Sequence, residues 1–181
     1  MNEIVKKNGI SFGVLLGVLS VVSTVIIYVT NPENFVSIWV GLSIFFVNII
    51  LGIVAVSKTK KALGGFITFK EAFTTYFITM AISSLIGITF MFILFNFIDP
   101  SIKDTIMEAT IKMSVNMMQS AGLKTEDIRK SIDAIKDTDN FSFLNQVKSF
   151  FVGLLVHTII GLIVAAATKK ENPNAFVSSA E

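Results

Sequence analysis

Four stretches of this chain contain no Asp, Glu, Lys or Arg: residues 8–32, 34–57, 72–98 and 149–168, of 25, 24, 27 and 20 residues. A transmembrane helix needs roughly 20 consecutive, mostly apolar residues, so each stretch is long enough to span a bilayer. The charge is not merely displaced. Only 15% of the residues are charged, against roughly 25% in average globular chains. A chain so patterned cannot be a soluble domain or a disordered one. The net charge of +2 also gives no reason to expect a nucleic-acid partner. Membrane strands alternate apolar and polar side chains over about 10 residues, whereas Val14-Leu15-Leu16-Gly17-Val18-Leu19 does not alternate. The expected fold class is an all-α membrane protein with four transmembrane helices, at about 9–29, 35–57, 72–98 and 146–168. Lys6 and Lys7 before an apolar run resemble a secretory signal, but the run exceeds the roughly 7–15 residues of a signal core. It reads as a retained first span.

The connections set the topology. Lys and Arg near span ends favour the cytoplasmic side. Lys6, Lys7, Lys58, Lys60, Lys61, Lys70, Lys169 and Lys170 all fall on one face of a four-span arrangement, and the first connection, 31–34, has no base. Both termini are therefore expected in the cytoplasm of a bacterial inner membrane. The same lysines could attract anionic headgroups; their other reading is as topology determinants only.

The third connection, 99–148, has a pattern of its own. Asp99-Pro100 reads as a helix start, with Asp as N-cap and Pro at the first helical position. Asp104, Glu108, Lys112, Asn116 and Gln119 form a polar stripe, and Ile102, Ile106, Ala109, Met113 and Met117 lie on another face. Gly122 is placed to end that helix, and Thr125 to cap a second running to about Asp137. The pairs Glu108/Lys112 and Glu126/Lys130 have the favourable four-residue order. An amphipathic helical hairpin over about 100–137 is expected. It is either a lid on the bundle or a Met-rich docking surface for a partner.

The basic turn and span entry GGFITFKEAF, the segment IDPSIKDTIMEATIKMSV, then LKTEDIRKSIDAIK and a Gly-rich closing span occur in that order. Together they resemble the domain of unknown function 4199 family, small four-span membrane proteins common in Bacteroidota, over roughly residues 6–170. The resemblance implies a four-helix membrane protein with a long outer loop. It supplies no activity and no catalytic residues.

Small residues recur at four-residue spacing inside the first and last spans: Gly9, Gly13 and Gly17, then Gly153, Gly161 and Ala165, interrupted by His157. Such stripes let helix backbones approach closely, whether within one chain or between two copies. His157 is the sole histidine and the sole ionisable group of the four uncharged stretches other than Tyr. An intramembrane ionisable residue is a functional candidate. Counting ~1.5 Å per residue from the span ends places His157, Ser83 and Ser20 at ~18 Å depth and Asn48 at ~15 Å. A polar layer near the midplane is thus expected from His157, Asn48, Ser83, Ser84 and Ser20. His157 would be neutral and bonded to Asn48, Ser83 or Ser84. The layer either holds the bundle together or forms a proton or solute path.

Enzymatic motifs are missing. There is no Gly-x-x-x-x-Gly-Lys-Ser/Thr, His-Glu-x-x-His or Gly-x-Ser-x-Gly. One histidine and no cysteine cannot make a typical zinc site, and no paired carboxylates suit acid–base work. No cofactor and no catalytic residue is expected. The reading is a single membrane domain over 1–170, with a disordered tail at 171–181. Its role is structural or accessory, in contact with the bilayer and with a membrane-protein partner or a second copy. The alternative is a small oligomeric transporter or channel using the layer around His157.

Overall fold

The computed structural model describes residues 1–172. The expectation of a disordered tail falls almost wholly beyond them. Among these residues the elements are six α-helices: α1 Glu3–Thr30, α2 Ile38–Ala62, α3 Phe69–Ile93, α4 Ile102–Ser120, α5 Thr125–Lys136 and α6 Phe143–Thr168. A 3₁₀ segment, Pro32–Val36, joins α1 to α2, and a π-helical turn, Leu94–Ile98, extends α3. Among the described residues, four helices are long and apolar enough to cross a membrane: α1, α2, α3 with its π-turn, and α6. This is a multi-pass membrane architecture.

Local chemistry sets the boundaries. Asn2 caps α1 by accepting from the Ile4 amide at 2.9 Å, so the helix begins well before the uncharged stretch does. At its other end Asn31 accepts from the Glu33 amide, and Pro32 opens the 3₁₀ segment. Gly64 and Gly65, at φ +79° and +90°, end α2 in a left-handed conformation that side-chained residues rarely adopt. A reciprocal capping box between Thr68 and Glu71 starts α3. Gly122, at φ +74°, closes α4 as its sequence position suggested.

Two expected starts shift. α4 begins at Ile102 rather than at Pro100. Asp99 does accept from the Ser101 amide (3.2 Å), the bond a capping carboxylate makes. But the amides of Ile102, Lys103 and Asp104 bond three residues back, to Asp99, Pro100 and Ser101 (3.4, 3.3 and 3.2 Å), so Pro100-Ser101 forms a turn ahead of the helix. α5 already includes Thr125, and its N-cap is Lys124, whose side chain makes no capping bond. The Glu126–Lys130 ion pair forms at 2.9 Å, and both side chains are exposed.

α3 is the central helix and packs against each of the other spans. Its contact with α1 is a parallel seam. Gly9, Gly13 and Gly17 of α1 face Ile78, Ile82 and Ile86 of α3 in register. A Cβ on Gly13 would stand 2.8 Å from Ile82 Cβ and 3.1 Å from the Thr79 carbonyl oxygen, so only glycine permits this approach. The Thr79 hydroxyl donates to the Thr75 carbonyl (2.8 Å) and lies 3.3 Å from the Gly9 carbonyl. The first glycine stripe therefore packs within the chain.

The start of α1, the α2–α3 turn and the end of α6 meet at one end of the bundle. Asn8 donates to the Thr59 hydroxyl at 3.2 Å. Lys60 Nζ donates to the Thr168 carbonyl at 2.8 Å, which satisfies one of the carbonyls left open at a helix C-terminus. Ile67 and Lys170 exchange backbone hydrogen bonds of 2.9 and 2.8 Å. At the opposite end a second apolar cluster, Leu94, Phe95, Ile102, Ile106 and Phe141, joins the π-turn to α4 and the start of α6. Much of the apolar surface points outward: Val152, Leu155, Ile159 and Ile163 on α6 are each more than half exposed. A soluble protein rarely exposes so continuous an apolar face; against lipid tails it costs nothing.

Candidate functional site

The buried centre of the bundle is Tyr76. Its ring on α3 is fully buried and lies between two glycines of different helices. A Cβ on Gly52 of α2 would come within 2.5 Å of Tyr76 Cε2, and one on Gly161 of α6 within 2.9 Å of Cδ1. Leu16, Val56, Met80, Val164 and Ala165 complete the cluster around it. The phenol leaves this apolar setting at its tip, where its oxygen is 3.4 Å from His157 Nδ1. Either group can donate, depending on the imidazole tautomer. The His157 ring also lies 5.9 Å, centroid to centroid, from Phe45 on α2.

His157 is thus placed inside the bundle, on a half-buried face toward α2 and α3. Its partner differs from those expected. Among the described residues, no side-chain hydrogen bond involves Asn48, Ser83 or Ser84; His157 meets Tyr76 instead. Asn48 is half-buried on α2 and Ser83 is buried on α3, without contributing to the His157 contact. Sequence reasoning missed Tyr76 and Gly52. A polar aromatic at the level of two facing glycines was the available signal.

Ser20 and Ser84 belong to a second place. They line a cavity of about 420 Å³ toward the end of the bundle that carries α4. Ser20 lies on α1, with its hydroxyl 2.9 Å from where a Cβ on Gly87 of α3 would be. α6 contributes Gln146, Ser149 and Gly153. Gly153 was expected on a close-packed stripe with Gly161 and Ala165. Gly161 and Ala165 are packed, but nothing lies within 4 Å of a Cβ on Gly153, because the cavity occupies the space beside it. The expected single layer is therefore two sites: His157 with Tyr76, and Ser20 with Ser84.

The end of the bundle that carries α4 is fastened by a polar knot. Asn96, in the π-turn, donates through Nδ2 to the carbonyls of Phe92 (2.9 Å) and Phe141 (3.2 Å), and accepts from Lys103 Nζ at 2.7 Å. Lys103 also lies 5.8 Å from the Phe141 ring centroid. The Tyr28 hydroxyl of α1 donates to the Asp99 carboxylate at 3.0 Å. Hydrogen bonds from the Ser101 and Tyr28 side chains hold the Asp99 carboxyl below its usual range. Among the described residues, no group of three or more His, Cys, Asp or Glu is placed to hold a metal ion.

A family model described as protein of unknown function (DUF4199) matches residues 11–170. No curated protein and no solved structure matches the chain.

Proposed function

The chain belongs to that family of unknown function, and from this premise we propose that it is a non-enzymatic structural or accessory protein of a bacterial inner membrane. Both termini would lie in the cytoplasm, and α4 and α5 would form an outer amphipathic hairpin presented to a membrane-protein partner or a second copy. One observation carries this reading: the two helices are anchored unequally. α4 buries Ile102, Ile106 and Ala109 and is tied through Lys103 to Asn96, whereas α5 buries only Ile128. Past the anchored turns, Met117 and Leu123 are exposed. Exposed methionines suit adaptable contact with a partner.

The orientation rests on the lysines. Those at positions 6, 7, 58, 60, 61, 70, 169 and 170 belong to the three segments that meet at one end of the bundle, as positive-inside placement requires. The chain has no native cysteine, so Ser57→Cys and Ser120→Cys can be probed singly with an impermeant thiol reagent on intact cells. Labelling at 120 with protection at 57 is expected; the reverse would invert the topology.

The accessory role is tested by a photocrosslinking amino acid at Met117. A discrete adduct is expected, either a dimer of this chain or a complex with one membrane protein, lost when α5 is replaced by a flexible linker. Absence of any adduct, together with solute or proton flux in vesicles that His157→Ala abolishes, would replace this reading with a transport one.

A further inference from the structure

We propose that the cavity between α1, α3 and α6 binds an uncharged amphiphile, a single-chain lipid-like molecule whose hydroxyl, ester or amide group hydrogen-bonds inside the pocket. The first ground is unmet polarity. Ser20, Ser84, Gln146 and Ser149 all line the cavity, and among the described residues none of their side chains makes a hydrogen bond. Several hydroxyls of the same spans are satisfied by their own helix, Ser23, Thr24, Thr75, Thr79 and Thr158 each donating to the carbonyl four residues back. Ser83 is not, but it stands alone, whereas the cavity gathers four such groups. Ser20 and Ser84 lie inside the uncharged stretches, where a polar side chain is costly without a partner. Gln146 and Ser149 join them from the start of α6, beside Lys148, so that four from three helices converge on one space.

The second ground is the absence of charge. None of the residues lining the cavity is Asp, Glu, Lys, Arg or His, and Lys103, which lies over the Phe141 ring, is already engaged with Asn96, so a charged head would meet no charged side chain on the cavity wall. The third is the wall chemistry. Phe150, Met91 and Ile88 give an apolar side for a chain to lie against. Phe35, Phe95 and Phe141 close the end nearest α4, packing edge to face at 5.5 and 5.4 Å. With one end walled by these rings, the recess has the shape of a small-molecule pocket rather than of a continuous helix-long groove. A volume of about 420 Å³ falls within the roughly 300–1,000 Å³ of small-molecule pockets. Gly153 supplies the room, since nothing else occupies the position its side chain would take.

The test uses the full-length protein in lipid nanodiscs and a photoactivatable monoacylglycerol, an uncharged probe with two hydroxyls, one ester and one chain. Adducts are expected to concentrate on peptides containing Ser84 and residues 146–153. Gly153→Leu, whose Cβ would meet nothing within 4 Å and whose branch would enter the cavity, should lower labelling at least tenfold while leaving the melting temperature within a few degrees. Unlabelled monoacylglycerol should compete, and lysophosphatidylglycerol of the same chain length should not. If Gly153→Leu does not fold, the Ser20→Ala/Ser84→Ala double variant should give the same loss. Labelling spread evenly along lipid-facing residues such as Leu155 and Ile159, and unchanged by the variants, would overturn the site. Equal competition by the anionic lipid would overturn the uncharged assignment.

Discussion

The Tyr76 hydroxyl and His157 Nδ1 stand 3.4 Å apart across the α3–α6 interface. The contact is long for a hydrogen bond to nitrogen, while the Tyr76 ring beneath it is completely enclosed. The two parts of the side chain therefore carry unequal weight. Tyr76→Phe should cost about 1 kcal/mol or less, the range measured for side-chain hydrogen bonds between membrane helices. Tyr76→Ala should cost about 3–5 kcal/mol, as large aromatic deletions from tight cores do. Reversible unfolding in mixed micelles would give both values. A Tyr76→Phe loss as large as that of Tyr76→Ala would show that the hydroxyl, not the ring, holds the helices.

The glycines give a sharper contrast, because one chemical change meets two environments. A methyl at Gly13 runs into Ile82 Cβ at 2.8 Å, and one at Gly153 meets nothing within 4 Å. Gly13→Ala should therefore destabilise by about 1–3 kcal/mol through overpacking. Gly153→Ala should be neutral, or stabilising by up to about 1 kcal/mol from helix propensity. Equal effects at the two positions would mean that the α1–α3 seam is looser than its register implies.

The spans and the α1 side of the α1–α3 seam could be read from the sequence because the bilayer leaves few choices. Uncharged runs of 20 residues or more must be helices in lipid, and Gly9, Gly13 and Gly17 mark a close approach wherever the partner lies. The Gly153/Gly161 stripe also put His157 inside the bundle, but its partners were chosen by depth, which matches side chains by the level of their Cα atoms. Tyr76 sits level with Gly161, one helical turn, ~5.4 Å, from His157, and a long phenol closes that gap. Depth also says nothing of rotation about the helix axis, which is why Ser20 and Ser84 line a cavity instead of meeting His157. The Asp99-Pro100 signal missed the helix start by two residues: Asp99 bonds the Ser101 amide as a cap would, but the first turn closes through three-residue bonds and the α-helix begins only at Ile102.

Asn96 ties three segments through one amide. Replacing it with Ala would leave the Phe141 carbonyl and the Lys103 ammonium without that partner, and unpaired, partly buried polar groups cost about 1–3 kcal/mol. The loss should be local. Amide hydrogen exchange over residues 102–110 is expected to speed up in Asn96→Ala, while the α1–α3 seam keeps its protection. If exchange across α4 is already uniformly fast in the native chain, the anchoring of this helix is disproved.

Asp99 makes the end of the bundle that carries α4 sensitive to acid. Its carboxylate accepts from the Ser101 side chain and from the Tyr28 hydroxyl, and these bonds lower its pKa below the ordinary 3.8. A carboxyl whose pKa is lowered by folding binds its proton more weakly in the folded state than in the unfolded one. Its contribution to stability is therefore complete above the unfolded value and disappears as the pH falls through the folded value. Stability of the native chain should thus fall below pH 3.8, and this part of the slope should be absent from Asp99→Asn, which has nothing to titrate. Tyr28→Phe removes one donor and should move the Asp99 midpoint upward, toward 3.8, without abolishing the effect, because Ser101 remains. Carbon-13 detection of the Asp99 carboxyl across a pH titration measures this directly. A native midpoint at or above 3.8, or one unmoved in Tyr28→Phe, would show that the α1 contact does not bear on the charged form.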